Sequence, residues 1–147
     1  MSQINRLPDG GRVQHNRPIQ FKWQGKTYTG LEGDTVASAL LANGIDTVGR
    51  SFKYSRPRGI VAAGAEEPNA LLQLGATEAT QTPNVRATQQ PLYEGLECRA
   101  TNGWPSPDFD LMGIVGKIGG KFMPPGFYYK THQIKVWTGP AVGCTTL

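Results

Sequence analysis

Two short segments of alternating apolar and polar residues, followed at once by a helical pattern, constrain the fold of this chain most strongly. Residues 19–23 alternate apolar and polar side chains, and residues 26–31 alternate again. Because successive side chains of a strand point to opposite faces, this pattern is typical of half-buried strands. Gln24 and Gly25 lie between the two segments and supply a turn. The sequence therefore predicts a β-hairpin.

A capped helix is predicted directly after the hairpin. Asp34 is the expected N-cap, whose carboxylate would accept hydrogen bonds from the free amides of the first turn. Gly44 lies where a left-handed residue commonly ends a helix. A hairpin followed by a helix that crosses the sheet predicts the opening of an α+β roll of β-grasp type. The apolar stripe recurs at helical spacing and comprises Val36, Ala39, Leu40 and Asn43, widened by Ala37 and Leu41.

Three later segments have the composition of short strands. They are residues 70–74, 84–88 and 96–100. Together with the hairpin and the helix they predict an α+β fold of β-grasp (ferredoxin/ubiquitin-like) architecture, in which a mixed sheet packs on one main helix. A chain of 147 residues suits one such domain with an irregular C-terminal arm.

The chain divides by composition into three parts. Residues 1–17 are polar and are interpreted as an N-terminal extension, and residues 18–101 as the β-grasp domain. Residues 102–147 are interpreted as an arm and tail, and the aromatic side chains of the arm suggest that it lies on another domain. A helix is predicted over residues 109–118. It is expected to be weak, because each glycine there costs about 1 kcal/mol relative to alanine. Residues 132–147 are expected to be disordered or loosely packed.

The most strongly charged stretch is residues 49–59, which begins and ends with glycine and is called the cationic segment below. Arginine and lysine are rarely buried unless paired, and Pro57 disfavours a helix, so an extended loop is predicted. Guanidinium groups suit phosphate or carboxylate partners, although a solvated basic loop is an equally open interpretation. Glu66 and Glu67 are the expected local counter-charges. The cations of the segment are Arg50, Lys53, Arg56 and Arg58, and its aromatic residues are Phe52 and Tyr54.

Charge and cysteine content narrow the possible functions only slightly. The formal net charge of +4 permits nucleic acid, acidic lipid or phosphorylated ligands and selects none of them. The two cysteines, Cys98 and Cys144, form no CxxC pattern, so neither a disulfide framework nor a zinc site is indicated. No apolar run approaches the roughly 18 residues that span a membrane, and no signal-peptide core is seen. A cytoplasmic chain without a membrane partner is expected.

Catalytic motifs are not found in the sequence. No glycine-rich phosphate loop, no Ser/His/Asp set and no activated cysteine can be assembled. His15 and His132 lie far apart without a carboxylate at ligand spacing, so each is predicted to be a surface histidine. Asp108 and Asp110 are expected to cap or solvate the start of a helix. The sequence therefore predicts no catalytic residue and no self-sufficient active site.

Six blocks of sequence, in order and with few gaps, resemble the N-terminal region of the heterotetrameric sarcosine oxidase alpha subunit. The resemblance covers roughly residues 6–131 and implies a ferredoxin-like β-grasp, in agreement with the hairpin and helix above. The tail from residue 132 onward does not fit the family pattern. The six blocks are residues 33–44, 49–59, 66–71, 84–88, 102–106 and 125–130.

The resemblance also allows the ligand positions of an iron–sulfur cluster to be compared with this sequence. Cluster-bearing relatives carry a plant-type C-x4-C-x2-C pattern with a fourth cysteine further on. Laid on this chain, the four ligand positions fall on Ala62, Glu67, Ala70 and Thr88, none of which is cysteine. Alanine has no ligand atom, and both cysteines of the chain lie outside the pattern. We therefore expect no iron–sulfur cluster and no metal site.

The resemblance implies an enzyme that oxidises the N-methyl group of sarcosine to give glycine and a formaldehyde equivalent. FAD, FMN and NAD would be its cofactors and oxygen its electron acceptor, and beta, gamma and delta subunits would complete the complex. None of these cofactor sites falls within this chain, which is interpreted as a structural module that is inactive alone. The four cations Arg50, Lys53, Arg56 and Arg58 are hypothesised to line an interface or to face a flavin or dinucleotide phosphate.

Two other functions remain open from the residues themselves. A small nucleic-acid-binding protein could stack bases on Phe52 and Tyr54 while the cations neutralise phosphates, although the basic residues are confined to one short segment. A free ubiquitin-like interaction module would use the apolar arm at residues 109–129. Neither agrees with the resemblance, which implies no nucleic-acid partner.

Overall fold

The computed structural model describes residues 3–51, 54–103, 105–111, 113 and 114. Seven strands, one α-helix described over its whole length and one short 3₁₀-helix are formed by the described residues. In chain order they are β1 (Gln14–Trp23), β2 (Lys26–Glu32), α1 (Val36–Ala42), β3 (Gly49–Arg50), β4 (Pro57–Arg58), β5 (Leu71–Leu74), the 3₁₀-helix (Glu78–Thr80), β6 (Thr82–Arg86) and β7 (Glu97–Ala100).

The predicted hairpin is confirmed. Strands β1 and β2 pair antiparallel with Phe21 opposite Tyr28, and their rings lie 6.1 Å apart between centroids. The turn between them has positive φ angles of 50° at Gln24 and 78° at Gly25. Positive φ at both central residues matches the right-handed twist of paired strands, which is why a residue pair containing glycine closes this hairpin. Strand β1 begins at Gln14, ahead of the alternating segment that predicted it.

The helix is confirmed, but its predicted N-cap is wrong. Thr35, not Asp34, caps α1: its hydroxyl accepts from the Ser38 amide, and the Ser38 hydroxyl accepts from the Thr35 amide. Asp34 is instead buried, where its carboxylate accepts from the Leu31 amide at 2.9 Å and pairs with Arg6. The carboxylate also accepts from the Ser38 hydroxyl at 2.8 Å, so Asp34 contacts the first turn through a side chain rather than by capping a backbone amide.

The other end of α1 follows the prediction more closely. Gly44 has a φ of 76°, as expected for the residue that ends a helix. Asn43 lies at the C-cap, and its side-chain amide donates to the Thr29 carbonyl oxygen of β2 at 2.9 Å. Leu41 does not widen the apolar stripe as predicted, since it is 38% exposed.

The main sheet has five strands in the order β2-β1-β7-β5-β6. Strands β1 and β7 run parallel at its centre, whereas β5 pairs antiparallel with both β6 and β7. The three later strands predicted from sequence are all present, and the sheet is mixed. The predicted α+β class and β-grasp architecture are confirmed.

The core lies between α1 and one face of this sheet. The helix contributes Val36, Ala39 and Leu40, all with no exposed surface. Burial of such side chains contributes about 1.5–3 kcal/mol each for the larger aliphatic residues. The sheet and its connections contribute Phe21, Trp23, Val48, Ala70, Leu72, Leu74, Ala87, Leu92, Leu96 and Cys98.

Several predictions concern residues that the structure does not describe. Lys53, Phe52, His132, Cys144 and residues 132–147 lie outside the described part of the chain. The helix predicted over 109–118 is helical at residues 111, 113 and 114, but not at 109 and 110, and its remainder is not described. No helix formed by the described residues is both long enough and apolar enough to cross a membrane.

Candidate functional site

The cationic segment folds back on itself rather than forming the extended loop that was predicted. Strands β3 and β4 pair antiparallel, with Gly49 opposite Arg58. The turn is closed by hydrogen bonds from the Ser51 amide to the Arg56 carbonyl oxygen and from the Ser55 amide to the Ser51 carbonyl oxygen, both 2.9 Å long. Backbone pairing across the segment explains the difference, because it satisfies amides that an open loop would leave to solvent.

Arg50 does not face solvent as a free cation. Its guanidinium donates to three backbone carbonyl oxygens: to Ser55 at 3.0 Å, to Asp108 at 3.3 Å, and to Pro107 through Nε. Ser55 belongs to the cationic segment and Pro107 to the arm, so Arg50 joins the cationic segment to the start of the arm. The planar guanidinium suits this use, because its donors point in fixed directions.

The other two described cations are exposed. The Arg56 guanidinium carbon lies 4.9 Å from the centroid of the Tyr54 ring, a cation–π contact. Among the described residues, the Arg56 side chain has no hydrogen-bonding or ion-pair partner. Arg58 donates to the side-chain oxygen of Asn69 at 3.2 Å. Of the three described cations of this segment, Arg56 is therefore the most available to a partner.

A shallow cleft of about 210 Å³ opens beside the cationic segment. Three apolar side chains at its rim are unusually exposed: Tyr54 at 62%, Phe109 at 57% and Ile114 at 47%. Exposed apolar side chains that cluster beside charged ones are typical of interaction surfaces. The cleft is lined by Arg50, Tyr54, Ser55, Asp108, Phe109, Asp110, Gly113 and Ile114.

Glu67 is not a counter-charge for the cationic segment, contrary to the prediction. It is 1% exposed, and no lysine or arginine nitrogen of the described residues lies within 4.0 Å of its carboxylate. One carboxylate oxygen accepts from the amides of Val61 (2.8 Å) and Ala62 (2.6 Å). The other accepts from the amides of Asn69 (2.8 Å) and Ala70 (3.2 Å). Its neighbour Glu66 accepts from the Gly64 amide at 3.3 Å.

These hydrogen bonds set the charge state of Glu67. Burial acts to raise the pKa of its carboxyl group, but the four amide donors outweigh it and hold the pKa below the ordinary value of 4.5. Hydrogen bonds to the charged form of a carboxyl group favour that form. Glu67 is therefore a buried carboxylate whose charge is balanced by backbone dipoles.

Thr88 closes the same loop from the other side. Its hydroxyl donates to the Gly64 carbonyl oxygen at 2.8 Å, and the amide of the preceding Ala87 donates to the Ala70 carbonyl oxygen at 2.9 Å. Ala62 and Ala70 thus donate directly to the Glu67 carboxylate, whereas Thr88 contacts the loop at Gly64.

Sequence reasoning missed the role of Glu67, although a signal was present. Residues 60–65 carry only small or apolar side chains, none of which can accept a hydrogen bond. A buried backbone amide needs an acceptor, so a loop of this composition requires one from a neighbouring residue. Glu67 is the nearest carboxylate that becomes buried.

The histidine, cysteine and acidic side chains of the described residues are dispersed. No three or more histidine, cysteine, aspartate or glutamate side chains among them are placed to hold a metal ion. His15 is exposed, as predicted, and one ring nitrogen lies 3.2 Å from the Gly10 carbonyl oxygen. Cys98 is buried in β7, where its thiol donates to the Lys22 carbonyl oxygen at 3.2 Å, and burial raises its pKa to about 12.

Comparison with known proteins gives one family and several relatives. A family model described as the 2Fe-2S iron-sulfur cluster binding domain matches residues 16–103. The sarcosine oxidase subunit alpha of Rhizobium meliloti (strain 1021) is 54% identical over 135 residues, which are 92% of this chain and 13% of the relative. Those of Corynebacterium sp. strains U-96 and P-1 are 38% and 40% identical, over 64% and 58% of this chain.

These findings confirm the resemblance read from the sequence. The chain spans only about a tenth of the length of its relatives, 13% of the first and 10% of the other two. Among solved structures, L-proline dehydrogenase from P. horikoshii matches with 17% identity and a TM-score of 0.47, over 67% of this chain and 18% of that one.

A two-iron two-sulfur centre does not fit the residues of this chain. Such a centre is held by four thiolates, or by histidine in place of two of them. The four positions that the resemblance assigns hold two alanines, a threonine and a glutamate whose carboxylate is taken up by four amides. Cys98 is not one of these four positions and lies in the packed core.

Proposed function

The chain belongs to the family of 2Fe-2S iron-sulfur cluster binding domains, and from this premise we propose that it serves as a non-catalytic structural module of a sarcosine oxidase alpha subunit. The observation that carries the proposal is the 54% identity to such a subunit over 92% of this chain. Residues 1–17 are proposed as an extension, 18–101 as the scaffold domain, and 102–147 as the arm and tail.

The complete enzyme is proposed to demethylate sarcosine oxidatively to glycine. FAD, FMN and NAD would be its cofactors, with oxygen as the electron acceptor, and all of their sites would lie outside this chain. The partners of this chain would be the remainder of the alpha subunit and the beta, gamma and delta subunits, in a cytoplasmic heterotetramer.

The surface proposed to meet these partners is the cleft beside the cationic segment. Tyr54, Phe109 and Ile114 supply exposed apolar area there. Arg56 and Arg58 supply positive charge next to it. Apolar anchors beside arginine are a common composition for a protein interface. An acidic protein surface, or the phosphate of a flavin or dinucleotide, would complement these two arginines.

The four cations would then have different roles within this interface. Arg50 would position the segment against the arm, because its guanidinium is already bound to three carbonyl oxygens. Arg56 and Arg58 would contact the partner directly. Lys53 belongs to the same segment, and its role stays a proposal because it lies outside the described residues.

Charge reversal in the complete enzyme tests this proposal. The double variant R56E/R58E should lower flavin content per complex or the recovery of intact heterotetramer on size exclusion. The matched control is R86E/R99E, which makes the same charge change at two exposed arginines on the main sheet. Equal flavin content and equal assembly in the two variants would contradict the proposed interface.

Co-purification separates the proposal from its alternatives. A structural module should be recovered together with flavoprotein subunits when the complete enzyme is isolated. A nucleic-acid-binding protein would instead bind single-stranded oligonucleotide, with an affinity that falls steeply as salt rises. A free interaction module would be recovered without flavin.

A further inference from the structure

Residues 61–70 form a loop whose backbone amides converge on one buried point. Amides from both ends of the loop, at Val61 and Ala62 and at Asn69 and Ala70, donate to that point. None of the four residues belongs to a helix or strand, so these bonds are not part of a regular ladder. Successive backbone amides that point inward make a concave site for an anion.

The occupant of this site is a side chain of the loop itself. A carboxylate has about four acceptor positions on its two oxygens, and the Glu67 carboxylate receives four amides, two on each oxygen. Its acceptor positions are therefore filled without a cation. Burying an unpaired charge is costly, and here the four amide hydrogen bonds replace those that water would make.

The same loop carries three of the four positions at which cluster-bearing members of the family would place ligands. The sulfurs of an iron–sulfur cluster are anionic acceptors that backbone hydrogen bonds tune. We propose that residues 61–70 are an anion cup in which the Glu67 carboxylate takes the place of the cluster and holds the loop closed. The loop thus keeps its shape although its ligand residues are gone.

The cup also fixes the neighbouring cationic segment. Asn69, whose amide binds Glu67, uses its side-chain oxygen to accept from Arg58 and its side-chain amide to donate to the Gly59 carbonyl oxygen. Glu67 is therefore a positioning residue for Arg58. This inference does not rest on the proposed function, since all of its contacts lie within the chain.

Hydrogen exchange of the 147-residue chain tests the cup directly. In the wild-type chain the amides of residues 61, 62, 69 and 70 should exchange at least tenfold more slowly than in the unfolded chain. The E67Q variant should lose that protection, because its side-chain NH₂ would face two donors. The control E66Q should leave the four amides within about twofold of wild type. The proposal would be overturned if these four amides of the wild-type chain exchanged as fast as in the unfolded chain. It would also be overturned if E67Q kept the wild-type protection.

An added anion separates the cup from a merely structural glutamate. In E67A, sodium acetate should slow exchange of the same four amides, whereas sodium chloride at equal ionic strength should not. Wild type should respond to neither salt, because its own carboxylate fills the site. Identical effects of acetate and chloride on E67A would overturn the assignment of an anion site. If E67A does not fold, the wild-type measurement above still decides the proposal.

Discussion

The guanidinium of Arg50 donates through Nε to the carbonyl oxygen of Pro107, 57 positions further along the chain. Pro107 is fully buried, and its carbonyl oxygen is reached by this arginine from the cationic segment. The contact holds residues 105–110 against the scaffold, because Arg50 binds Ser55 and Asp108 at the same time. An arginine that sequence reasoning assigned to an external partner thus has an internal role.

Replacing Arg50 with lysine should weaken this attachment. Lysine keeps the charge but cannot donate in three fixed directions, so a loss of about 1–3 kcal/mol in the free energy of unfolding is expected. Urea unfolding measures it, and limited proteolysis within residues 105–111 reports local release. R12K changes an exposed arginine in the same way and should be neutral. Equal stability of R50K and R12K would show that the three hydrogen bonds contribute nothing.

Glu67 should make stability depend on pH. Its folded pKa lies below the ordinary 4.5, so its contribution is present above that value and is lost as pH falls through the folded pKa. E67Q should be less stable than wild type near neutral pH, and the gap should narrow below about pH 4.5. Urea unfolding at a series of pH values measures the gap. E66Q should show no comparable gap, and a gap for E67Q that stays constant with pH would refute this linkage.

Two glycines in left-handed conformations should respond differently to alanine. At Gly95, with φ of 75°, an added Cβ meets nothing within 4 Å, so G95A should cost only the backbone strain of about 1–2 kcal/mol. At Gly75, with φ of 92°, the Cβ would also collide with the backbone at Thr80, 2.7 Å from its carbonyl carbon. G75A should therefore lower the free energy of unfolding more than G95A. Equal losses of unfolding free energy in the two variants would show that the backbone around Gly75 shifts to accommodate the Cβ at no cost.

The corrected helix cap is testable by two substitutions. T35A removes the hydroxyl that accepts from the Ser38 amide and should cost about 0.5–2 kcal/mol. D34N keeps a side chain that caps equally well, so it tests the buried pair with Arg6 rather than capping. If thermal unfolding shows T35A to be neutral, Thr35 is not the functional cap.

The parts of the fold that follow from local pattern could be predicted from the sequence. Period-two alternation placed β1 and β2, and helical spacing placed α1, because each pattern reflects burial of one face. The choice between Asp34 and Thr35 as cap could not be made, since it depends on Arg6, 28 positions away. Local sequence signalled that residues 60–65 need an acceptor, but it could not show that Glu67 supplies it, because the four donors meet only when both ends of the loop come together.

The site was predictable only in part. Charge and exposure of Arg56 and Arg58 follow from composition, whereas the internal use of Arg50 depends on the distant Pro107. The resemblance gave the four positions at which a cluster would have its ligands, but it did not show that the Glu67 carboxylate accepts four amides there.

The central claim is that a cluster-binding scaffold persists here with a carboxylate in place of the cluster. Iron and acid-labile sulfide per chain, measured after expression with ample iron and purification without oxygen, test it most directly. The account predicts neither element at stoichiometric level, together with a folded chain. Two irons and two sulfides per folded chain would contradict it.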